Sequence, residues 1–256
     1  MPFGDNLNSR ILGRKKYYFS KFFGWPPHVG MRNRAANVNR LLKPKWGDLI
    51  LEVGSSSGVH SSYLAKKRAK VFGFDLKKKL VYYSKKVVHR SKNGLTPSFL
   101  VANAEDIPFK DGTFDKVISV DVLEHVENDR KALEEIGRVL KPHGYIVIHV
   151  PLDVRFHISP LKLSRARAKK EEIGLDHVRD GYIREDLEDI FRSSGFVIDK
   201  IMVTSRFFTA IAWEIDNSVN HRMRYFPFLY ALTKLDRFTP PIGNGFVIKA
   251  HKKNQI

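Results

Sequence analysis

LILEVGSSSG, at residues 49–58, decides the fold: it is an apolar run that ends in a glycine-rich turn. A continuous apolar stretch of this length that stops at a glycine is typical of a buried parallel strand. The residues that follow predict a helix over Gly58–Lys67. Gly54 and Gly58 permit tight backbone turns and the close approach of a ligand just before the helix N-terminus. The stretch therefore predicts a strand, a binding turn and a helix.

The rest of the chain repeats this alternation of strands and helices. Further apolar or alternating segments predict strands at residues 70–75, 97–106, 114–121, 145–151, 196–203 and 245–252. Helices are predicted between most of them, including one over residues 129–144 that Pro142 and Gly144 would stop. The prediction is an α/β, Rossmann-like, doubly wound sheet of seven strands, with the last strand antiparallel and with helical insertions.

The chain divides into an extension and a main domain. Residues 1–40 mix basic and aromatic side chains, lead into a predicted helix over Arg32–Leu42, and are interpreted as a lid or cap. Residues 41–256 form the predicted α/β domain, with insertions at about residues 152–182 and 205–242. The second insertion is rich in aromatic residues, namely Phe207, Phe208, Trp213, Tyr225, Phe226, Phe228 and Tyr230. These aromatic residues suit core packing, a lid over an apolar acceptor, a base-stacking surface or an interfacial membrane contact.

The positive charge is concentrated in the first 100 residues. The net charge is +18, and residues 1–100 hold 21 Lys and Arg against 4 Asp and Glu. Such an excess attracts an anionic partner, whether RNA, an acidic lipid surface or a phosphorylated small molecule, or it is simply a solvated surface. The sequence leaves both interpretations open.

Two absences in the sequence narrow the function. The chain has no cysteine, which excludes disulfides, thiolate metal sites and reactions that use a cysteine nucleophile. No apolar run reaches the roughly 18 to 20 residues of a membrane span. We therefore expect a cytoplasmic protein without a transmembrane segment, with a peripheral membrane location as the alternative.

Polar residues follow successive predicted strands at the edge where such sheets bind ligands. Ser56 and Val59 stand where a dinucleotide loop has its second and third glycines, which argues against a dinucleotide. Glu52 is a suitable neighbour for a positively charged amino group, such as that of a sulfonium cofactor. Asp75 can accept hydrogen bonds from both hydroxyls of a ribose, and Asn103 can bond an adenine edge.

Four segments resemble the class I S-adenosylmethionine-dependent methyltransferases that include the ubiquinone and menaquinone biosynthesis enzymes, with a methyltransferase type 11 domain. They are LILEVGSSSG, VFGFD, NAEDIPFKDGTFDKVISVDVLEHV and LKPHGYIVIHVP, and they span Leu49–Pro151. The resemblance implies methyl transfer from S-adenosyl-L-methionine, and an acceptor held by the N-terminal extension and the insertions. It implies cofactor contacts at Glu52, Gly54, Ser56, Gly58, Asp75, Leu76, Asn103, Ala104 and Asp121. The family usually has glycine where this chain has Ser56.

Catalytic groups are less well specified by the sequence. Asp121, Glu124 and His125 would share one face of a helix that starts there, a metal-ligand spacing to which His177 could add a fourth ligand. The favoured interpretation has no metal: Asp121 caps the helix, Glu124 is solvated, and His125 packs or contacts substrate. His125 or His177 remains a candidate general base, since imidazole titrates near neutral pH.

Three functions remain open from the sequence. The first is a methyltransferase acting on a small-molecule or lipid-linked acceptor. The second is an RNA methyltransferase, which the basic first 100 residues favour although no RNA-binding module is recognisable. The third is a non-catalytic module that binds the cofactor or a partner. The sequence does not specify the oligomeric state.

Overall fold

The computed structural model describes residues 29–88, 95–158, 160, 178–218 and 226–253. Residues 1–28 of the predicted extension lie outside the described residues, as do His177 and most of the first insertion. Within the described ranges, no helix is both long enough and apolar enough to cross a membrane.

One mixed sheet of seven strands forms the centre of the described chain. The strands are β1 (Leu49–Val53), β2 (Lys70–Asp75), β3 (Ser98–Val101), β4 (Phe114–Val120), β5 (Leu140–Pro151), β6 (Phe196–Arg206) and β7 (Gly243–Lys252). Their spatial order is β3-β2-β1-β4-β5-β7-β6. Strand β7 runs antiparallel to β5 and β6, whereas the other neighbouring pairs are parallel. The predicted fold class is confirmed.

Helices cover both faces of this sheet. They are α1 (Val29–Leu42), α2 (Val59–Lys66), α3 (Lys78–Val88), α4 (Asp129–Val139), α5 (Arg184–Ser193), α6 (Phe207–Ser218) and α7 (Phe226–Leu232). Short 3-10 turns lie at Leu123–His125, Val154–Phe156 and Thr233–Phe238. The helix predicted over Arg32–Leu42 is present and begins earlier, at Val29.

Apolar side chains fill a separate core on each face of the sheet. On one face, helices α4 and α5 bury Leu133, Ile136 and Phe191 against Phe74 and Phe114. On the other face, Leu42 of α1 and Leu64 of α2 pack on Ile50, Ile118 and Val147. Because the central strands are covered on both sides, they read as continuous apolar runs in the sequence.

The predicted end of α4 was wrong. The helix stops at Val139, and Leu140 is already extended and paired with Phe114 as the first residue of β5. Pro142 and Gly144 therefore lie in an irregular start of the strand and do not terminate the helix. A Cβ on Gly144 would lie 2.9 Å from Leu140 Cδ2, so the glycine serves the tight bend of this irregular strand start.

Helix α1 connects the sheet to a cap formed by α6, α7 and the Thr233–Phe238 turn. Its second half contributes Val38 and Leu42 to the sheet core. Its first residue, Val29, packs in a small cluster with Ala212 of α6 and Leu229 of α7. Helix α1 therefore crosses one sheet face from the cap to the edge where β1 begins.

The aromatic residues of the second insertion have different environments. Trp213 packs against α1, where a Cβ on Gly30 would lie 2.9 Å from Trp213 Cδ1. The guanidinium of Arg32 stacks over the Tyr230 ring at 4.8 Å. Phe207 and Phe228 are exposed, whereas Tyr225 lies outside the described residues. Core packing thus accounts for only part of this aromatic content.

Candidate functional site

The turn after β1 is built around left-handed backbone conformations. Gly54 and Gly58 both have φ of +71°, which costs glycine little. A Cβ on Gly54 would lie 2.3 Å from Val122 Cγ2, so the turn touches the segment that follows β4. The turn and the end of β4 together form one continuous surface at the carboxyl edge of the sheet.

Ser56, between the two glycines, also has a left-handed conformation, with φ of +41°. A residue with a Cβ is strained there, by about 1 kcal/mol or more. We expect Ser56→Gly to raise the free energy of unfolding by about 1 kcal/mol in urea denaturation. Ser57→Gly is the matched control in the same turn, because Ser57 does not have a positive φ and should lose stability. Equal destabilisation by both substitutions would contradict the strain at Ser56.

Glu52, near the end of β1, is buried beneath the turn. Its Oε2 accepts hydrogen bonds from Ser61 N, at 3.0 Å, and from Ser61 Oγ, which fixes the start of α2 against β1. Burial raises the pKa of the Glu52 carboxyl to about 8, although the Ser61 bonds act in the opposite direction. The carboxyl is therefore mainly protonated at neutral pH in this structure.

Asp75, at the end of β2, holds the turn from the other side. Its Oδ2 accepts from Ser56 N and its Oδ1 accepts from Lys77 N, both at 3.0 Å. The hydroxyl of Ser84 in α3 donates to Ser56 O at 2.5 Å. These bonds fix the Asp75 carboxylate at the carboxyl edge of the sheet while leaving each oxygen a further lone pair.

The end of β3 adds a third turn at the same edge. Asn103 is exposed, and its Oδ1 accepts from Glu105 N at 3.1 Å. Ala104 is buried. Leu76, which follows β2, is 67% exposed and so presents an apolar surface that a ligand could cover. The structure brings the sequence-predicted residues after β1, β2 and β3 to one edge.

The segment after β4 differs from the helix predicted there. Asp121 has a left-handed φ of +55°, and only a 3-10 turn over Leu123–His125 follows. The residue before that turn is Val122, so Asp121 does not cap it. Three side chains on one helical face at i, i+3 and i+4 are therefore not available, because the helix that would align them does not form.

Asp121 instead joins three parts of the chain. Its carboxylate forms an ion pair with Arg34 of α1. It also accepts a hydrogen bond from His149 Nδ1 of β5 at 2.6 Å. Because the ionised Asp121 carboxylate can only accept, this contact places the ring proton on Nδ1. Nε2 then accepts from the Thr204 hydroxyl, which lies 3.2 Å away. Burial lowers the pKa of His149 well below its ordinary value, so the ring is neutral.

Glu124 was expected to be solvated and is instead 2% exposed. Its Oε2 is buried without a hydrogen-bond partner, and so is the Nε of Arg34. The two groups interact electrostatically. Burial raises the pKa of the Glu124 carboxyl above its ordinary value, opposed by a backbone hydrogen bond and by the nearby charges of Arg34 and Arg179.

Sequence reasoning missed Arg34, His60 and His149. Burial and the proximity of Arg34 and His149 lower the pKa of His60 to about 4, so this α2 residue faces the same cluster as a neutral ring. A histidine inside the apolar run of β5, beside the predicted end of β4, was the one available signal for His149. Nothing local to the sequence marks Arg34 or His60, because their partners are distant in the chain.

No three His, Asp or Glu side chains converge as a metal-binding group in the part of the chain that the structure describes. His177 lies outside that part, so its predicted role as a ligand or base has no geometry here. His125 lies in the 3-10 turn beside Glu124 and is partly exposed. Its role as a base stays a prediction.

Comparison with known proteins shows to which family the chain belongs. A family model described as a methyltransferase domain matches residues 51–148. The demethylmenaquinone methyltransferase of Clavibacter sepedonicus is 30% identical over 173 residues, which cover 62% of this chain and 69% of that protein. The chain belongs to the class I S-adenosylmethionine-dependent methyltransferase family. It is accordingly an S-adenosylmethionine-dependent enzyme.

Two further proteins resemble this methyltransferase. The ubiquinone biosynthesis O-methyltransferase of Xanthomonas axonopodis pv. citri is 29% identical over 183 residues, covering 69% of this chain and 73% of that protein. The phosphoethanolamine N-methyltransferase 2 of Haemonchus contortus, solved with S-adenosyl-L-methionine, has a TM-score of 0.66. At 22% identity, with 98% of this chain and 59% of that chain covered, this second likeness concerns the fold.

The described residues of the methyltransferase fit its cofactor. A Cβ is absent at Gly54 and Gly58, where the backbone turns over the carboxyl edge. The Asp75 carboxylate is held in place by backbone N–H groups and keeps acceptor capacity for hydroxyl groups. Glu52 is buried close to this turn, and an ammonium group bound beside it would favour the ionised carboxylate over the neutral form that burial alone favours.

Proposed function

We propose that this methyltransferase transfers the methyl group to a hydroxyl group of a small-molecule or lipid-linked acceptor. The observation that carries the proposal is the pair of buried, unpartnered atoms Glu124 Oε2 and Arg34 Nε, an acceptor and a donor in one cluster. Buried polar atoms without partners are uncommon in folded proteins and indicate a missing ligand group or water. The acceptor site lies between α1, the turn after β4 and the end of β5.

A hydroxyl group has both functions that these two atoms lack, a donor for Glu124 and an acceptor for Arg34. It donates its proton toward the Glu124 carboxylate and accepts from the Arg34 N–H through its oxygen. A neutral amine has a single lone pair, which attack on the methyl group consumes and which therefore cannot also accept from the guanidinium, and an aromatic carbon offers neither bond. The pair therefore favours an oxygen acceptor, and Asp121 keeps Arg34 in place through its ion pair.

Glu124 also suits the removal of the hydroxyl proton. The bound cofactor supplies an electrophilic methyl group on a sulfonium. Glu124 takes the acceptor's proton on its free carboxylate oxygen. Arg34 stabilises the negative charge that develops on the acceptor's hydroxyl oxygen. Because burial raises the pKa of Glu124, its carboxylate is a stronger base than an exposed glutamate. His125 is the second candidate for this proton.

Cofactor binding is assigned to the three turns at the carboxyl edge. Asp75 holds the ribose hydroxyls, Leu76 and Ala104 line the adenine position, and Asn103 bonds the adenine edge. Gly54, Ser56 and Gly58 form the backbone around the amino-acid part, with Glu52 beneath and Asp121 at the end of β4. Arg34 brings the first helix into the site, which supports the lid role proposed for the N-terminal segment.

The names of the relatives support an acceptor of the quinone class. The Xanthomonas protein is named as an O-methyltransferase of ubiquinone biosynthesis, and the Clavibacter protein as a demethylmenaquinone methyltransferase. Both names describe acceptors of the quinone class. A hydroxyl on such a ring is compatible with the donor and acceptor pair at Arg34 and Glu124.

The test uses methyl-labelled S-adenosylmethionine with catechol, a prenylated hydroquinone, the dimethyl ether of that hydroquinone and total tRNA. We expect label in the first two as a methyl ether, identified by mass spectrometry, and none in the dimethyl ether. Label on a ring carbon would refute the hydroxyl assignment. Label in tRNA alone would refute the small-molecule acceptor.

A further inference from the structure

The cap lies at the same edge of the sheet as the candidate site. Strand β6 ends at Arg206, which pairs with Gly243 at the start of β7. Residues 207–242 thus leave and rejoin the sheet at one edge. Since β4, β5 and β6 point the same way, this is also the edge where Asp121 follows β4.

Exposed apolar side chains are concentrated on this cap. The exposed fractions are 44% for Phe207, 70% for Phe228, 39% for Leu235, 71% for Phe238 and 58% for Ile242. Exposed apolar groups of this size, close together in one segment, mark interaction surfaces when they are rimmed by polar residues. We call these five side chains the cap surface.

Hydrogen bonds bring members of the cap surface together. The backbone N–H of Phe208, next to Phe207, donates to Asp236 Oδ1 at 2.8 Å, two residues before Phe238. Arg206 Nε donates to Pro240 O at 3.0 Å, and Ile242 N bonds the same carbonyl at 2.8 Å. The start of α6 therefore lies against the segment that carries Phe238 and Ile242.

The charge of this surface is positive. Lys234 and Arg237 are exposed, and the Arg237 guanidinium lies 4.5 Å from the centre of the Phe238 ring. Asp236 is the one acid in residues 226–242, and it is buried because its carboxylate accepts hydrogen bonds from the start of α6. Aromatic and aliphatic groups beside cations, without an exposed acid, match the interfacial region of an anionic bilayer.

We propose that the cap surface docks on an anionic lipid bilayer and places the candidate site beside the membrane. A second copy of the chain would bring Lys234 and Arg237 against like charges. A nucleic acid would leave Leu235 and Ile242 without stacking partners, since aliphatic side chains have no ring face for a base. In a bilayer, the hydrocarbon region accommodates both the aromatic and the aliphatic side chains, and the phosphate headgroups pair with Lys234 and Arg237.

The experiment is flotation of the full chain with phosphatidylcholine vesicles, with and without phosphatidylglycerol. We expect binding that depends on phosphatidylglycerol and weakens as salt rises. The double variant Phe228→Ser and Phe238→Ser should bind about tenfold more weakly. The matched control is Trp46→Ser, because Trp46 is 81% exposed before β1, at the opposite edge of the sheet. Its binding should equal that of the parent.

Two double variants that remove positive charges give a second measurement. Lys234→Gln with Arg237→Gln should weaken binding by about fivefold per charge. Lys66→Gln with Lys67→Gln, exposed at the end of α2, should change it less. The proposal is overturned if the parent chain does not float, or if the control variants lose as much binding as the cap variants. It is also overturned if the serine double variant still binds vesicles but has lost self-association or tRNA binding. Acceptor chemistry is not used in this test, so its outcome is independent of the hydroxyl assignment.

Discussion

Replacing Glu124 by glutamine should lower kcat on the hydroxyl acceptor by about 10² to 10⁴-fold, because the amide cannot take the acceptor's proton. The amide keeps the size of the carboxyl, so S-adenosylhomocysteine affinity and the melting temperature should change little. Steady-state kinetics and calorimetry measure these quantities separately. A structural role for Glu124 would instead lower the melting temperature and leave kcat of the folded fraction intact.

The pH profile distinguishes a base from a positioning group. Burial raises the pKa of Glu124, and the base must be ionised to act, so kcat/KM of the parent should fall as pH falls through this raised pKa. That limb should disappear in Glu124→Gln. Glu127→Gln is the matched control, since Glu127 is exposed just after the same turn and should keep the parent's profile. If Glu124→Gln keeps the fall in kcat/KM at low pH, Glu124 is not the general base, and His125 becomes the favoured candidate for that role.

Asp75→Ala should weaken S-adenosylmethionine and S-adenosylhomocysteine binding by about 10² to 10⁴-fold in calorimetry. The substitution removes two charge-assisted hydrogen bonds to ribose hydroxyls, each worth roughly 1.5 to 3 kcal/mol. Asp75→Asn keeps the shape of the side chain but loses the charge, so its affinity should lie between those of the parent and the alanine variant.

A control for the fold is needed because Asp75 also holds the turn through Ser56 N and Lys77 N. Far-ultraviolet circular dichroism and the melting curve establish whether the variant is folded. Asp115→Ala, at the opposite end of β4, removes a carboxylate that accepts from Leu49 N and should leave cofactor affinity unchanged. An affinity of folded Asp75→Ala within threefold of the parent would contradict the ribose assignment.

The turns to which the cofactor is assigned were predictable because each is local in sequence. Each of its turns directly follows a strand, so the apolar runs ending at Val53 and Asp75 already place the polar residues at one edge. The cluster proposed as the acceptor site was not predictable in the same way. Arg34 and Asp121 meet only because α1 packs on the sheet. The helix predicted after β4 does not form because Asp121 takes a left-handed conformation.

Burial was the property that the sequence conveyed least well. Glu124 was expected to be a solvated acid, yet Val178 N and Arg179 N both donate to its backbone carbonyl and close the segment over it. The prediction of where α4 ends was wrong for a related reason. Leu140 fits a helical apolar face as well as a strand, and its pairing with Phe114 decided the outcome.

The crossing of α1 has a consequence for how this enzyme can diversify. The residues assigned to the cofactor belong to the strand ends of the α/β core, whereas Arg34 and the cap belong to elements attached outside it. With the acceptor site proposed above, a new acceptor would be accommodated by altering α1 and the cap together, with Val29, Ala212 and Leu229 as the shared boundary. Substitutions in α1 and the cap would then change acceptor selectivity and leave cofactor binding at the strand ends intact.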